Sequence, residues 1–257
     1  MKKIATIVLF LIGTQVYSNA QTAEEIIKTY IENIGGEEVL RNIKSMKMSA
    51  KVDAQGMTLP LEMINMADGR TITKFEFQGK EMIQGAFDGE TSWGVNFMTQ
   101  KAEKSDAEQT ENVKRESKDF PDPFLDYEKK GYAVELLGKE TVEGAECFKI
   151  KFTKKPLLVD GEDVENVQYY FFDTENYVPI VTETEIKSGQ MKGSISQTVF
   201  SDYQEVEGIY FPFSINSKLK GGEGQPVTIE KIEVNVEVDE SIFKFPETTE
   251  EAPAKGE

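Results

Sequence analysis

Length, charge and the lack of histidine bound the function of this chain. It has 257 residues, with 46 Asp and Glu against 29 Lys and Arg, and a formal net charge of −17. A protein this acidic is repelled by nucleic acid and by anionic lipid surfaces, so we expect no nucleic-acid partner. Without histidine, Ser-His-Asp and Cys-His catalysis are excluded, and with Cys147 as the one cysteine there is no internal disulfide.

The first twenty residues have the pattern of a secretory signal peptide. Two lysines precede an apolar run from Ile4 to Ile12, and a stretch of small residues ends at Ala20. The apolar run is about half as long as the ~20 residues that span a bilayer, which disfavours a permanent anchor. We therefore expect cleavage near Ala20-Gln21, a periplasmic protein and no stable membrane anchor.

The mature chain opens with a helix. Thr22 and Glu25 have the spacing of a capping box, and Gly35-Gly36 supplies the end of the helix. The apolar residues between them share one helical face, namely Ile26, Ile27, Tyr30, Ile31 and Ile34. This pattern predicts an amphipathic helix that covers another apolar surface.

From Lys44 onward the apolar pattern changes to a period of two, which is typical of half-buried antiparallel strands. About ten such runs follow, separated by short turns such as Asp68-Gly69 and Asp88-Gly89. One sheet this long must curl, and its apolar side needs a cover. We predict a mainly β fold with α cover: a single curved antiparallel sheet, or unclosed β-barrel, with an N-terminal helix and a short lid helix.

Two segments interrupt the strands. Residues 101–119 are polar and predict a mobile loop or a loosely held helix. The proline-rich turn that follows leads into Phe124, Leu125 and Tyr127, which we interpret as a short amphipathic lid helix ended by Gly131. We divide the chain into a signal peptide (1–20), one domain (21–246) and a disordered acidic tail (247–257).

Methionine and aromatic side chains are abundant on the strands up to residue 97. Methionine adapts to irregular apolar guests, but it also fills ordinary cores, and the pattern leaves both readings open. The candidates for a lipid cavity are Met46, Met48, Met57, Leu59, Leu61, Met63, Phe75, Phe77, Phe87, Trp93 and Phe97. Asp160–Asp163 lacks the spacing of a calcium loop, and no carboxylate pair stands out as an acid/base couple, so we assign no metal ligands and no catalytic residues.

Several phrases resemble the LolA-type outer-membrane lipoprotein carriers. The hairpin Phe87–Trp93 resembles the family's "DGxxxW" motif, and Phe171–Asp173 followed by Val178–Ile180 resembles its "fD...lp" strand pair. Asn235–Pro246 is similar to its closing segment, and Phe200–Tyr203 with Phe211-Pro212 resembles lipoprotein-sorting relatives. The phrases occur in the family's order and cover most of residues 23–246.

The resemblance implies an unclosed antiparallel barrel covered by helices, which carries lipoprotein acyl chains across the periplasm without a cofactor. It implies lipidated protein or lipid acyl chains as cargo and transient envelope proteins as partners, and we expect a monomer. The family has an arginine that ties the lid to the sheet; Arg70 is the candidate here, about one residue out of register. Two alternatives remain: an envelope sensor or binding module of the same fold, and a carboxylate-dependent hydrolase.

Overall fold

The fold consists mostly of strands with few helices. The computed structural model describes residues 21–54 and 56–246, so the expected signal peptide and acidic tail lie outside the described residues. Its helical elements are α1 (Ala23–Asn33), α2 (Glu37–Arg41), α3 (Ala107–Glu116) and two 3-10 turns, Ser117–Asp119 and Glu240–Phe243. In this part of the chain, no helix is both long enough and apolar enough to cross a bilayer.

Strands form the rest of the regular structure within residues 21–54 and 56–246. They are β1 (Ser45–Ala54), β2 (Met57–Met66), β3 (Thr71–Phe77), β4 (Lys80–Phe87), β5 (Ser92–Val95), β6 (Ala102–Lys104), β7 (Ala133–Val142), β8 (Ala145–Thr153), β9 (Leu157–Val159), β10 (Glu162–Val164), β11 (Val167–Asp173), β12 (Pro179–Glu185), β13 (Ile195–Val206), β14 (Ile209–Leu219) and β15 (Gly224–Val234). The expected succession of strands is therefore confirmed, with more strands than the about ten that were predicted.

One antiparallel sheet of thirteen strands dominates the described residues. Its order is β6-β5-β4-β3-β2-β1-β15-β14-β13-β12-β11-β8-β7, and β9 with β10 forms a separate hairpin. The first and last strands, β1 and β15, pair at its centre, where Met46 lies opposite Val234. The two ends of this order do not meet, so the predicted fold class, a single antiparallel sheet not closed into a barrel, is confirmed.

Helix α1 covers one face of the sheet, which we call the inner face. Its capping box is present: the Thr22 hydroxyl accepts from the Glu25 N–H (3.2 Å), and the Thr22 N–H donates to the Glu25 carboxylate (3.0 Å). The helix packs its apolar side on β8 and β11, in a buried cluster with Phe152 and Phe172. Its end is fixed by Gly35, where an added Cβ would lie 2.6 Å from the Gly208 carbonyl oxygen.

The inner face continues across β1, β2 and β3. Residues directly opposite each other on antiparallel strands share a face. Met48 lies opposite Met63 on β2 and Ile232 on β15, and Leu61 lies opposite Phe75 on β3. The alternation read from the sequence therefore produces one apolar surface that spans several strands.

The opposite, outer face has a second core. Ile64, Ile72 and Trp93 lie on neighbouring strands and pack around Phe243 of the C-terminal 3-10 turn, which is fully buried. The Trp93 Nε1–H donates to the Phe243 carbonyl (2.8 Å), and the Arg70 guanidinium lies 5.3 Å from the centre of the Phe243 ring. The segment around the 3-10 turn Glu240–Phe243, which we call the strap, therefore lies across the outer face of β2 to β5.

The polar segment 101–119 contains a helix held by specific bonds. Asp106 caps α3 by accepting from the Gln109 N–H (2.7 Å). Asn112 then bonds both main-chain groups of Leu158 on β9, each at 2.8 Å. Of the two sequence interpretations, the helix is correct, and it docks on the small β9–β10 hairpin.

The predicted short lid helix is wrong: Phe124, Leu125 and Tyr127 lie on a series of turns. The Leu125 N–H bonds the Asp122 carbonyl three residues back (3.2 Å), which is a turn rather than an α-helical bond. Asp126 has a φ of 56°, and a left-handed residue interrupts a right-handed helix. The amphipathic pattern thus reflects burial of a compact turn and not helix formation.

We predict that Phe243→Ala lowers the free energy of unfolding by about 3–5 kcal/mol, because it removes the ring at the centre of the outer-face core. Urea unfolding followed by tryptophan fluorescence measures the loss and also reports on Trp93. Met98→Ala is the control, since that side chain is exposed and its removal should change stability by less than about 0.5 kcal/mol. Equal losses for the two variants would contradict the strap's structural role.

Candidate binding cavity

A cavity of about 260 Å³ lies between the inner face, helix α1 and the proline-rich segment. Pro121, Asp122, Pro123 and Phe124 form its roof. Its apolar wall comes from the sheet and from the first helices, and includes Ile34, Leu40, Met46, Met48, Phe200 and Phe211. Two of the methionines chosen from the sequence, Met46 and Met48, therefore line the same space.

The roof carries a buried carboxyl group. The Tyr30 hydroxyl of α1 donates to Asp122 Oδ2 (2.6 Å), and the Phe124 N–H donates to Asp122 Oδ1 (2.8 Å). Burial raises the pKa of Asp122 above its usual range, although the two hydrogen bonds oppose the shift. Burial and the neighbouring carboxylate also raise the pKa of Tyr30. This contact joins the helix to the roof inside a low-dielectric space.

Further polar groups complete this end of the cavity. The Tyr203 hydroxyl donates to the Pro179 carbonyl (2.6 Å), and the Tyr170 hydroxyl donates to Gln168 Oε1 (3.1 Å). Burial raises the pKa of both tyrosines, so each stays a neutral donor at neutral pH. With Asp122, Gln168 and the buried Thr182, these groups give the cavity one polar end beside its apolar wall.

The roof is also fastened to the sheet from outside the cavity. The Lys154 ammonium pairs with Asp119 at 2.9 Å, and the Tyr132 hydroxyl donates to the same carboxylate at 2.9 Å. The Lys130 ammonium donates to the main-chain carbonyls of Asp122 (3.3 Å) and Pro123 (3.4 Å). These bonds hold the segment in one position over the inner face.

Several of the sequence candidates come together on the inner face. Met46, Met48 and Leu61 belong to one apolar cluster, which Phe120 and Phe211 connect to the cluster under α1. The register adds Leu59, Met63 and Phe75 to the same face, and Phe77 follows Phe75 at the period of a strand. Phe87 is fully buried opposite Thr71 on β3.

Two candidates, Trp93 and Arg70, lie at the outer face, and two others, Met57 and Phe97, are exposed. Trp93 is on the outer face under the strap. It lies opposite Ala86 on β4, and Ala86 lies opposite Ile72 on β3, which is on the other face of the sheet from Phe75. Arg70 pairs with Asp68 and Glu240, so it fastens the strap and not the roof. Met57, the first residue of β2, is 47% exposed, and Phe97, in the turn after β5, is 56% exposed. The Phe97 ring stacks on that of Phe75, with ring centres 5.2 Å apart.

The three lid candidates lie in the roof or directly after it along the chain. Phe124 is 3% exposed, and its ring contacts those of Tyr30, Phe152, Tyr170 and Phe172 at centre distances of 4.6–5.9 Å. Leu125 is buried in the same cluster, and Tyr127 packs against it. The roof is therefore part of the core in this structure.

The polar end was missed by the sequence analysis. Asp122 stood out only as part of a proline turn, and Tyr30 only as an apolar member of a helix face. Tyr203 and Thr182 lie far from both along the chain, so no local pattern could have linked them. The one available signal was an aspartate between two prolines, which fixes a carboxyl group on a rigid turn.

Comparisons with known proteins agree with this fold. The model of a family described as "Uncharacterized protein" matches residues 124–247, just under half of the chain. No curated protein sequence matches this chain. Among solved structures, a DUF1329 family protein from Desulfovibrio piger has a TM-score of 0.55 at 11% identity, over 86% of this chain and 97% of that one.

Two further solved structures are similar. A LolA superfamily protein from Nitrosomonas europaea has a TM-score of 0.54 at 14% identity, over 88% of this chain and 98% of that one. A domain assigned to outer membrane lipoprotein sorting, from Vibrio parahaemolyticus, has a TM-score of 0.52 at 12% identity, over 85% and 94% of the two chains. At these identities the likeness establishes the fold, and the LolA-like fold suspected from the sequence motifs is confirmed.

The buried carboxyl group predicts an unusual pH dependence. Because burial raises the folded-state pKa of Asp122 above its unfolded value of about 3.9, the folded chain holds this proton more tightly than the unfolded chain. Its contribution to stability is full below about pH 4 and is lost as the pH rises through the raised pKa. The free energy of unfolding of the wild type, minus that of Asp122→Asn, should therefore fall as the pH rises above about 4 in urea titrations.

Asp126→Asn is the matched control. Arg41 and then Lys129 lower the pKa of Asp126, so its contribution is present above about pH 4 and is lost as the pH falls. The corresponding difference should rise between about pH 2 and pH 5 and then stay level. If the difference in free energy of unfolding for Asp122→Asn also rises with pH, burial does not raise the pKa of this carboxyl group, and the prediction is wrong.

Proposed function

We propose that this protein is a periplasmic carrier that shields the acyl chains of a lipid or lipidated protein on its inner face, in outer-membrane lipoprotein sorting. The observation that carries the proposal is the continuity of the apolar inner face. It runs from the cavity through Met48 to Leu61, Met63 and Phe75, which are only half-buried. A core residue is normally covered by protein, so half-covered apolar side chains in a row suit a removable guest.

The dimensions support a chain that is partly enclosed. The cavity of about 260 Å³ lies just below the range of about 300–1,000 Å³ typical of pockets that enclose a small molecule. It would hold one end of a long chain, while the remainder lies along the inner face. Burying a methylene group is worth about 0.8 kcal/mol, so a sixteen-carbon chain gains roughly 13 kcal/mol by leaving water. An open wall covers part of that chain, which keeps release possible.

The comparisons support the same proposal through the fold. Two similar structures are a LolA superfamily protein and a domain assigned to outer membrane lipoprotein sorting. We extend that role to this chain, together with cleavage of residues 1–20, transient envelope partners and a monomeric state. Fold likeness alone does not fix an activity, so the apolar inner face carries the argument.

Two alternatives make different demands on the site. A sensor of the same fold would bind lipid without handing it on. A carboxylate-dependent hydrolase needs two carboxyl groups across a cleft. Among the residues described, Asp122 is the one acidic residue that lines the cavity, which favours binding over hydrolysis. Transfer of a fluorescent fatty acid from the loaded protein to lipid vesicles would support a carrier, and retention would support the sensor.

We predict that Met48→Glu lowers the affinity for a polarity-sensitive fatty-acid probe by about tenfold or more, because it sets a charge in the apolar wall. Ser49→Glu is the matched control: it adds the same charge to the same strand on the outer face, opposite Lys231. Circular dichroism and thermal unfolding establish that both variants fold. Equal probe affinity for the two folded variants would overturn the proposed function.

A further inference from the structure

The polar end of the cavity has no use in holding a hydrocarbon chain. A polar group that faces hydrocarbon loses hydrogen bonds to water and gains none in return, which costs free energy. Yet Asp122, Gln168 and Thr182 all line the cavity, within the same enclosed space as Met46 and Met48. Their presence points to a guest that is polar at one end.

These groups keep unused hydrogen-bonding capacity. Asp122 accepts one bond on each oxygen, from Tyr30 and from the Phe124 N–H, whereas a carboxylate offers about four acceptor sites. Gln168 uses its carbonyl oxygen to accept from Tyr170, which leaves its NH₂ group as a donor. Thr182 is buried at the cavity wall, and its hydroxyl can both donate and accept a hydrogen bond. Both donors and acceptors are thus available to a ligand.

A row of hydroxyl groups extends this polar end along the inner face. Thr182 on β12 lies opposite Thr198 on β13, and Thr198 lies opposite Ser217 on β14, with 3.2 Å between their hydroxyl oxygens. Thr184 and Ser196 form the next pair. All five side chains are uncharged, so the inner face has a hydroxyl-lined half beside the apolar half on β1 to β3.

Charge decides which kind of polar head fits. The whole chain carries a net charge of −17, so a carboxylate or phosphate head meets repulsion, and the Asp122 carboxyl group offers such a head no attraction. Among the described residues, the cavity lining includes no Lys or Arg that could offset it. The Lys130 ammonium is bonded to main-chain carbonyls of the roof and is not part of the lining.

We propose that the polar end selects amphiphiles with an uncharged, hydroxyl- or ester-bearing head, such as a glycerol ester, over free fatty acids of the same chain length. The selection rests on the proposed function, since it presupposes that acyl chains bind the inner face. Asp122 and Gln168 bond the head, Thr182 and Thr198 continue the polar contact, and the chain lies on the apolar half.

Competition against the fatty-acid probe at pH 8 tests this selection, with 1-palmitoylglycerol and palmitate as competitors. We expect 1-palmitoylglycerol to bind about tenfold more tightly, the equivalent of one hydrogen bond. Thr182→Val, which keeps the shape of the side chain, should weaken 1-palmitoylglycerol more than it weakens palmitate. Asp122→Asn should strengthen palmitate, because an uncharged amide can donate a hydrogen bond to the carboxylate head. Asp202→Asn, an exposed change of the same charge, should alter neither.

The outcomes separate this inference from the function on which it rests. If both competitors bind with equal affinity, or palmitate binds better, the selection is overturned while lipid binding stands. If neither binds, both fail. A synthetic lipopeptide with a dipalmitoylglyceryl cysteine identifies the source of the glycerol ester. If Thr182→Val weakens the lipopeptide, the ester belongs to a lipidated protein; if it weakens only 1-palmitoylglycerol, the ester belongs to a free lipid; either result supports the selection.

Discussion

An open sheet has two faces, and the apolar stretches on either face must lose their contact with water. This constraint explains most of the structure. Helix α1 and the roof cover the inner face over β8 and β11, and the strap with Phe243 covers the outer face over β2 to β5. Among the residues that the structure describes, no equivalent element covers the inner face of β2 and β3, and there Leu61, Met63 and Phe75 stay half-exposed. The proposed guest lies on this part of the inner face.

Local patterns predicted the elements well. The capping box of Thr22 and Glu25 and the alternation of Met46, Met48 and Ala50 depend on neighbouring residues, and both appear in the structure as expected. Glycine-containing turns such as Asp88-Gly89 fixed the hairpins for the same reason. The pairing of each strand with the next followed from these turns within β1 to β6 and within β11 to β15, whereas the pairings of β1 with β15 and of β8 with β11 did not.

Long-range geometry escaped prediction. Trp93 and Phe75 were both predicted to line the cavity. The register of β3, β4 and β5 instead places Phe75 on the inner face and Trp93 on the outer face. Phe124 and Tyr127 have helical spacing, yet the left-handed Asp126 between them interrupts a helix. The contact between Tyr30 and Asp122 joins residues far apart in sequence, so only the folded chain reveals the buried carboxyl group.

The pairing of β1 with β15 has a consequence for how this chain folds. The centre of the sheet joins residues from opposite ends of the chain, such as Met46 and Val234. Proteins dominated by such distant contacts fold slowly, because the entropy of closing a long loop is lost before the contacts form. The sheet cannot be completed until nearly the whole chain has been synthesised.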